Sequence, residues 1–105
     1  MAHVTTDADI REALRQVIDP ELGVNIVDLG LVYRIEIQGG RVRVEMTMTS
    51  PACPLSQYLK DLVDSTIRRL IPSIQDVEIV LVWEPPWDPD MMSAGARRQL
   101  DGPER

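Results

Sequence analysis

Phenylalanine is absent from this chain, and two tryptophans and two tyrosines supply all of its aromatic rings. The core must therefore be aliphatic and methionine-rich. Such cores pack well, although methionine is a soft filler. There is a single cysteine, so no internal disulfide can form, which agrees with a reducing compartment. There is a single histidine, His3, so a Cys–His catalytic pair would have to draw its base from the far N-terminal end. Bases are scarce too: 11 against 17 acids, for a formal charge of −6. A field of that sign repels phosphate backbones, and neither a G-x-x-G loop nor a basic stripe is present, which argues against nucleic acid as a partner. No apolar run is long enough to span a bilayer, and "MAHVTTDADI" lacks the basic and apolar blocks of a secretory signal. The expectation is a cytoplasmic protein with no membrane partner.

What remains is ordinary for a globular protein: 44% apolar and 27% charged residues in a chain of 105. That length fits a single domain, 1–105, able to bury roughly 65% of the surface its unfolded chain exposes. "TTDADIREALRQVIDP" predicts a helix. Ile10, Ala13, Leu14 and Val17 form one apolar stripe, Thr6 suits the N-cap, and Asp7 and Asp9 suit the first turn. Pro20 disfavours helical backbone at Asp19, so the helix should stop there. "ELGVNIVDLG" has no clean period and reads as an ordered loop, with Asp19, Glu21 and Asp28 clustered in and beside it.

"LVYRIEIQGGRVRVEMTMT" alternates strictly on both sides of Gly39-Gly40, which predicts a two-residue hairpin of type I′. Folding about the glycines pairs Ile37 with Val42, Ile35 with Val44 and Tyr33 with Met46 on one face. The other face then pairs Glu36 with Arg43 and Arg34 with Glu45, opposite charges in both cases. "CPLSQYLKDLVDSTIRRLIP" predicts a second helix starting at Cys53–Pro54 and ending at Pro72. Its stripe is Leu55, Leu59, Leu62, Val63, Thr66 and Leu70. "DVEIVLVW" predicts a third strand whose second face, Val80 and Val82, is apolar enough to need a cover. The prolines of "EPPWDPD" exclude regular structure. "MMSAGARRQL" suits a short terminal helix, and residues 101–105 should fray. The order α-β-β-α-β plus a tail predicts an α+β fold, a two-layer α/β sandwich.

Cys53 therefore falls where the second strand runs out and the second helix begins. A helix N-terminus offers unpaired N–H groups and a positive dipole end, which favour a thiolate. Thr47, Thr49 and Ser50 could hydrogen-bond the sulfur or a ligand on it. The alternative is a small buried hydrophobe at a strand–helix junction. One thiol cannot close a tetrahedral zinc or cluster site. Two copies in a homodimer could, as could one copy and a partner, and Asp19, Glu21 or Asp28 could complete a weak, open shell.

Three blocks resemble the metal–sulfur cluster biosynthesis family, which includes SufT, PaaD and a eukaryotic subunit of the cytosolic iron–sulfur targeting complex. They are "DPELGVNIVDLGLVY", "MTMTSPACP" and "EPPWDPDMMSAGARRQL". The resemblance spans about Ile10 to Leu100. It implies a fold like the C-terminal domain of NifU-type assembly proteins and a role in iron–sulfur cluster assembly or maturation. It carries the family's cysteine onto Cys53, its Asp-Pro-Glu onto Asp19, Pro20 and Glu21, its loop acid onto Asp28 and its threonines onto Thr47 and Thr49. The additional cysteine-rich region of PaaD-type members has no counterpart here, so a short SufT-like form is expected.

The expected function is thus an assembly factor, not an enzyme, that carries transient iron or a labile cluster at Cys53 and delivers it to apoproteins. Ser50 and Pro54 would support that site. The alternative is an adapter that binds no metal and bridges clients and the assembly machinery. Pro85, Pro86 and Trp87 are either a rigid turn that folds the tail over Val80 and Val82 or a partner-docking spot.

Overall fold

A computed structural model describes residues 5–49 and 55–101. Helix α1 spans Asp7–Leu14, strand β1 Val32–Gln38, strand β2 Arg41–Met46, helix α2 Ser56–Leu70 and strand β3 Asp76–Leu81. A 3₁₀ turn at Pro89–Met91 and helix α3, Ala94–Asp101, are the last of the described elements. This is the α+β order expected from the sequence, with α1 and α2 packed on each other, α1 also against β1 and α2 also against β3.

Thr6 caps α1 as expected, within a full capping box. Its hydroxyl accepts from the Asp9 N–H, and the Asp9 carboxylate accepts from the Thr6 N–H. The helix ends at Leu14, however, well before Asp19. Beyond it, Ile26 N–H donates to Val17 O and Asp19 N–H to Val24 O. Residues 17–26 thus fold into a small antiparallel turn centred on the Ile18–Asn25 bridge, and this pairing competes with the last helical turn.

The hairpin register is the expected one from Gln38–Arg41 through Arg34–Glu45, including Ile37–Val42, Glu36–Arg43 and Ile35–Val44. It then shifts: Met46 faces Val32, not Tyr33, because a bulge lies between Val32 and Arg34. The turn also differs from type I′. Gly39 has a positive φ of 59° and Gly40 does not, which is the pattern of type II′. β3 runs parallel to β2, giving the order β1-β2-β3 with β2 central.

One face of the sheet is sealed mainly at the centre. Val42, Val44 and Met46 of β2 meet Ile10 and Leu14 of α1 and Leu59, Val63 and Ile67 of α2 in a common buried core. Each such side chain contributes about 1.5–3 kcal/mol of burial free energy. On the flanking strands Ile35, Ile37, Val77, Ile79 and Leu81 are only partly buried.

Candidate functional site

Three segments converge at the end of the sheet where β2 runs out. The first is the loop Val17–Leu31. The second is the run Thr47–Thr49 that leads toward Cys53. The third is the tail after β3. Thr47 N–H donates to Leu31 O at 2.8 Å, which ties the loop to the strand.

Within the loop, Asp19 is 2% exposed, and its Oδ1 accepts from the N–H groups of Glu21 (2.8 Å) and Leu22 (3.1 Å). It therefore caps its own turn. Asp28 has both oxygens engaged: Asn25 Nδ2 donates to Oδ2 at 2.8 Å and Arg15 donates to Oδ1 at 2.6 Å. Asn25 Oδ1 in turn accepts from the Asp28 N–H. The Asn25 hydrogen bond, helped by the Arg15 guanidinium, holds the Asp28 carboxyl below its ordinary range against a smaller opposing effect of burial. Glu21 is the exposed acid of the set.

Thr47 is fully buried, and its Oγ1 has no hydrogen-bond partner among the described residues. Close to it is the Tyr33 hydroxyl. That hydroxyl donates to Pro85 O at 2.8 Å, and the Met91 sulfur lies 3.6 Å from it. Burial pushes the Tyr33 phenol above its usual pKa. Thr49 is half-buried.

Helix α2 begins at Ser56, a little later than the sequence suggested. Leu55 occupies the N-cap and makes no side-chain cap bond, and the first turn holds no acid. Among the described residues, the first N–H groups of α2 and its positive dipole end thus have no side-chain cap. Cys53, Ser50 and Pro54, which the sequence placed here, lie outside the described residues. Among the described residues, no group of three or more His, Cys, Asp or Glu side chains could hold a metal ion.

The tail crosses to the loop. Trp87 Nε1 donates to Leu29 O at 2.7 Å, Ser93 N–H to Asp28 O at 2.7 Å, and Gln99 to Gly23 O at 3.4 Å. Ala96 is 1% exposed and joins the core. Gly30, at φ +82°, is pressed so closely by Met91 that a Cβ there would lie 2.5 Å from the Met91 carbonyl oxygen. The tail's hydrogen bonds thus run to the loop and Tyr33, while Val80 and Val82 stay half-exposed. Trp87 is half-buried, with its N–H spent on Leu29. Trp83, which alternation places on the third strand's face with Val77, Ile79 and Leu81, lies beyond β3 and is the exposed indole at 41%. Pro85 and Pro86 are exposed.

Sequence reasoning missed Asn25, Arg15, Tyr33, Gly30 and Ser93. The Asn25-x-x-Asp28 spacing is an Asx-type signal that could have revealed the loop's internal brace. No local signal marks the contact of Tyr33 with Pro85.

The sequence profile of a family described as "Iron-sulfur cluster assembly protein" matches residues 7–81, and the chain belongs to this family. It is 50% identical to the Fe-S protein maturation auxiliary factor SufT of Staphylococcus aureus (strain USA300), over 80% of this chain and 96% of that protein. It is 46% identical to the Fe-S protein maturation auxiliary factor YitW of Bacillus subtilis (strain 168), over 88% of this chain and 90% of that one. A solved structure, the domain of unknown function DUF59 from Bacillus anthracis, superposes with a TM-score of 0.88 at 36% identity, covering 90% of this chain and 91% of that one.

Proposed function

We propose that this protein is an iron–sulfur maturation factor that holds iron or a labile cluster as cargo at Cys53 and passes it to apoproteins. The observation that carries this reading is the family match over residues 7–81, which enclose Cys53, together with the maturation-factor relatives. The geometry supports it. α2 starts just downstream of Cys53 with no side-chain cap, and its dipole end would favour a thiolate by about 0.3–1 kcal/mol. Thr47 has a buried hydroxyl with no hydrogen-bond partner among the described residues, on the segment that leads to Cys53, and Thr49 and Ser50 bring two further hydroxyl residues to that segment. Asp19 and Asp28 brace the loop, which leaves Glu21 as the acid best placed to exchange ligands. Such a shell is too thin to close on a metal alone, so release to a client needs few bonds broken. No turnover chemistry is needed for this role.

The test is anaerobic reconstitution with iron and sulfide. A visible sulfur-to-iron charge-transfer band is expected, and it should vanish in Cys53→Ala. If neither protein develops a band, the carrier role is wrong. A second reading, an adapter that binds no metal, is favoured by one observation: Trp83, Pro85 and Pro86 are adjacent and exposed. It requires equal capture of assembly proteins by wild type and Cys53→Ala, and loss of capture in Trp83→Ala or in the double variant Pro85→Ala/Pro86→Ala.

A further inference from the structure

Among the described methionines, Met46 and Met48 are sealed in the core and Met92 is half-buried against it, whereas Met91 is exposed at 37%. The Met91 backbone is pinned. Its N–H donates to Asp88 O at 2.8 Å, the Ser93 N–H donates to Asp28 O at 2.7 Å, and the Met91 carbonyl and Cβ press on Gly30. This fixed stem holds the thioether sulfur 3.6 Å from the Tyr33 hydroxyl. That hydroxyl has one proton and two acceptors within reach. A carbonyl is a far better acceptor than a thioether, so the proton goes to Pro85 O at 2.8 Å. The bond fastens the crossing from β3 to the tail. Val82 N–H donates to Met46 O, and the Trp87 indole donates to Leu29 O. Between them, among the described residues, the Tyr33–Pro85 bond is the hydrogen bond that ties residues 83–86 down.

We propose that Met91 is a site of reversible oxidation by hydrogen peroxide, and that its sulfoxide takes the Tyr33 proton from Pro85 and so unties residues 83–86. In the step, the thioether sulfur attacks one peroxide oxygen. The O–O bond breaks and an S–O bond forms. The sulfur gives up two electrons, and the attacked oxygen passes its proton to the departing hydroxide, which leaves as water. Oxidation turns the weak acceptor beside Tyr33 into a polar one whose oxygen projects from the sulfur. The pinned stem keeps that oxygen beside the phenol. Pro85 is exposed, so water satisfies its carbonyl once the proton moves. Loosening is confined to the crossing, because the Trp87–Leu29 and Ser93–Asp28 bonds do not pass through Tyr33. The stretch set free carries Trp83, Pro85 and Pro86, all exposed. Methionine sulfoxide is reduced enzymatically, so the change can be reversed. The inference uses no property of Cys53 and is independent of the cargo reading.

The experiment exposes the full chain, as Cys53→Ala to remove the thiol as a competing target, to dilute hydrogen peroxide. Peptide mass mapping should show Met91 gaining oxygen at least about tenfold faster than Met46 and Met48. Backbone ¹⁵N order parameters at Trp83 and Glu84 should fall from about 0.85 to below about 0.6, while those of Trp87 and Ser93 hold. The Pro85 carbonyl carbon resonance should shift, and methionine sulfoxide reductases should restore both signals. Met91→Leu, of similar volume but not oxidisable, should stay rigid in peroxide, and Met92→Leu should respond as its parent does. Tyr33→Phe should be mobile at Trp83 and Glu84 before peroxide and no more so after it. Oxidation of Met91 no faster than that of the core methionines overturns the proposal. So does an oxidised chain with unchanged order at Trp83 and Glu84, or a peroxide response that survives in Met91→Leu. Further loosening of Tyr33→Phe on oxidation would also overturn it, because the sulfoxide would then act without the phenolic proton.

Discussion

Replacing Gly30 by alanine should separate the tail from the loop it clasps. Gly30 sits at φ +82°, where an L side chain costs about 1–2 kcal/mol. Its new methyl would also lie 2.5 Å from Met91 O and 2.8 Å from Met91 Cβ. The first of these atoms is backbone, so Met91 itself must move. Overpacking of that kind costs about 1–3 kcal/mol. The sum is about 3 kcal/mol, a large share of a typical domain's total stability. Gly23→Ala supplies the control, since Gly23 has φ +71° but nothing within 4 Å of its built Cβ. It should cost the backbone strain alone, about 1 kcal/mol, or roughly 4–8 °C in melting temperature for a chain of this size. Gly30→Ala should lose two to three times as much, unless the tail detaches first. In that case the melt of the remaining core changes less, and trypsin cuts at Arg97 and Arg98 far faster than in wild type. Thermal denaturation and limited proteolysis of the two variants, side by side, decide the matter. If Gly30→Ala matches Gly23→Ala in melting temperature and wild type in cleavage rate, the Met91 contact is soft and the clasp does not exist.

Thr47→Val removes a buried hydroxyl that has no hydrogen-bond partner among the described residues. Stability by urea unfolding should therefore hold or rise by about 1 kcal/mol, while transfer of cluster to an apoprotein falls. Trp87→Phe loses the bond to Leu29 O and should cost about 1 kcal/mol in the same assay, whereas Trp83→Phe should change monomer stability by less than about 0.5 kcal/mol. Asp28 ionises below its ordinary value of 3.8 in the folded chain, so it adds stability above that pH that disappears as pH falls through its lower folded pKa. Asp28→Asn should therefore lose less stability than wild type on acidification from about pH 5 to pH 2, measured by urea unfolding at each pH. Equal acid slopes in the two proteins would contradict the bracing geometry.

The parts of this fold that the sequence made legible are those decided by neighbours a few residues apart. The Thr6–Asp9 box, the Glu36–Arg43 and Arg34–Glu45 pairs and the Leu59, Val63 and Thr66 part of the α2 stripe follow from local period and charge, whereas Leu70, placed on that stripe, is exposed and Ile67, left off it, is fully buried. Legibility stops where a distant group competes with a local pattern. Alternation assigned Tyr33 to face Met46, but its hydroxyl is drawn to Pro85 O, far along the chain, and the bulge lets Val32 take the inward place. The stripe through Val17 extended α1, but Val17 O is used by Ile26. Proline and tryptophan marked 85–87 as special without saying what they touch. The answer depended on Gly30, whose role is visible only once Met91 lies against it.

The same competition bears on how a thin ligand set could work. An acid can stiffen a loop or bind a metal, but its lone pairs cannot do both at full strength. Asp28 spends both oxygens on Asn25 and Arg15, and Asp19 spends one on two backbone donors. Recruiting either as a ligand would break hydrogen bonds that close the Asp19 turn or tie Asp28 to Asn25 and Arg15. The acids that look like ligands in the sequence therefore act more economically as scaffolding. They brace the loop whose Leu31 carbonyl accepts from the Thr47 N–H. A protein built to keep metal would invert this arrangement, with acids aimed inward and loops held by packing. If Cys53 carries cargo as proposed, a rigid frame around few exchangeable donors would instead lower the barrier to handing it on, because the frame need not rearrange when the cargo leaves.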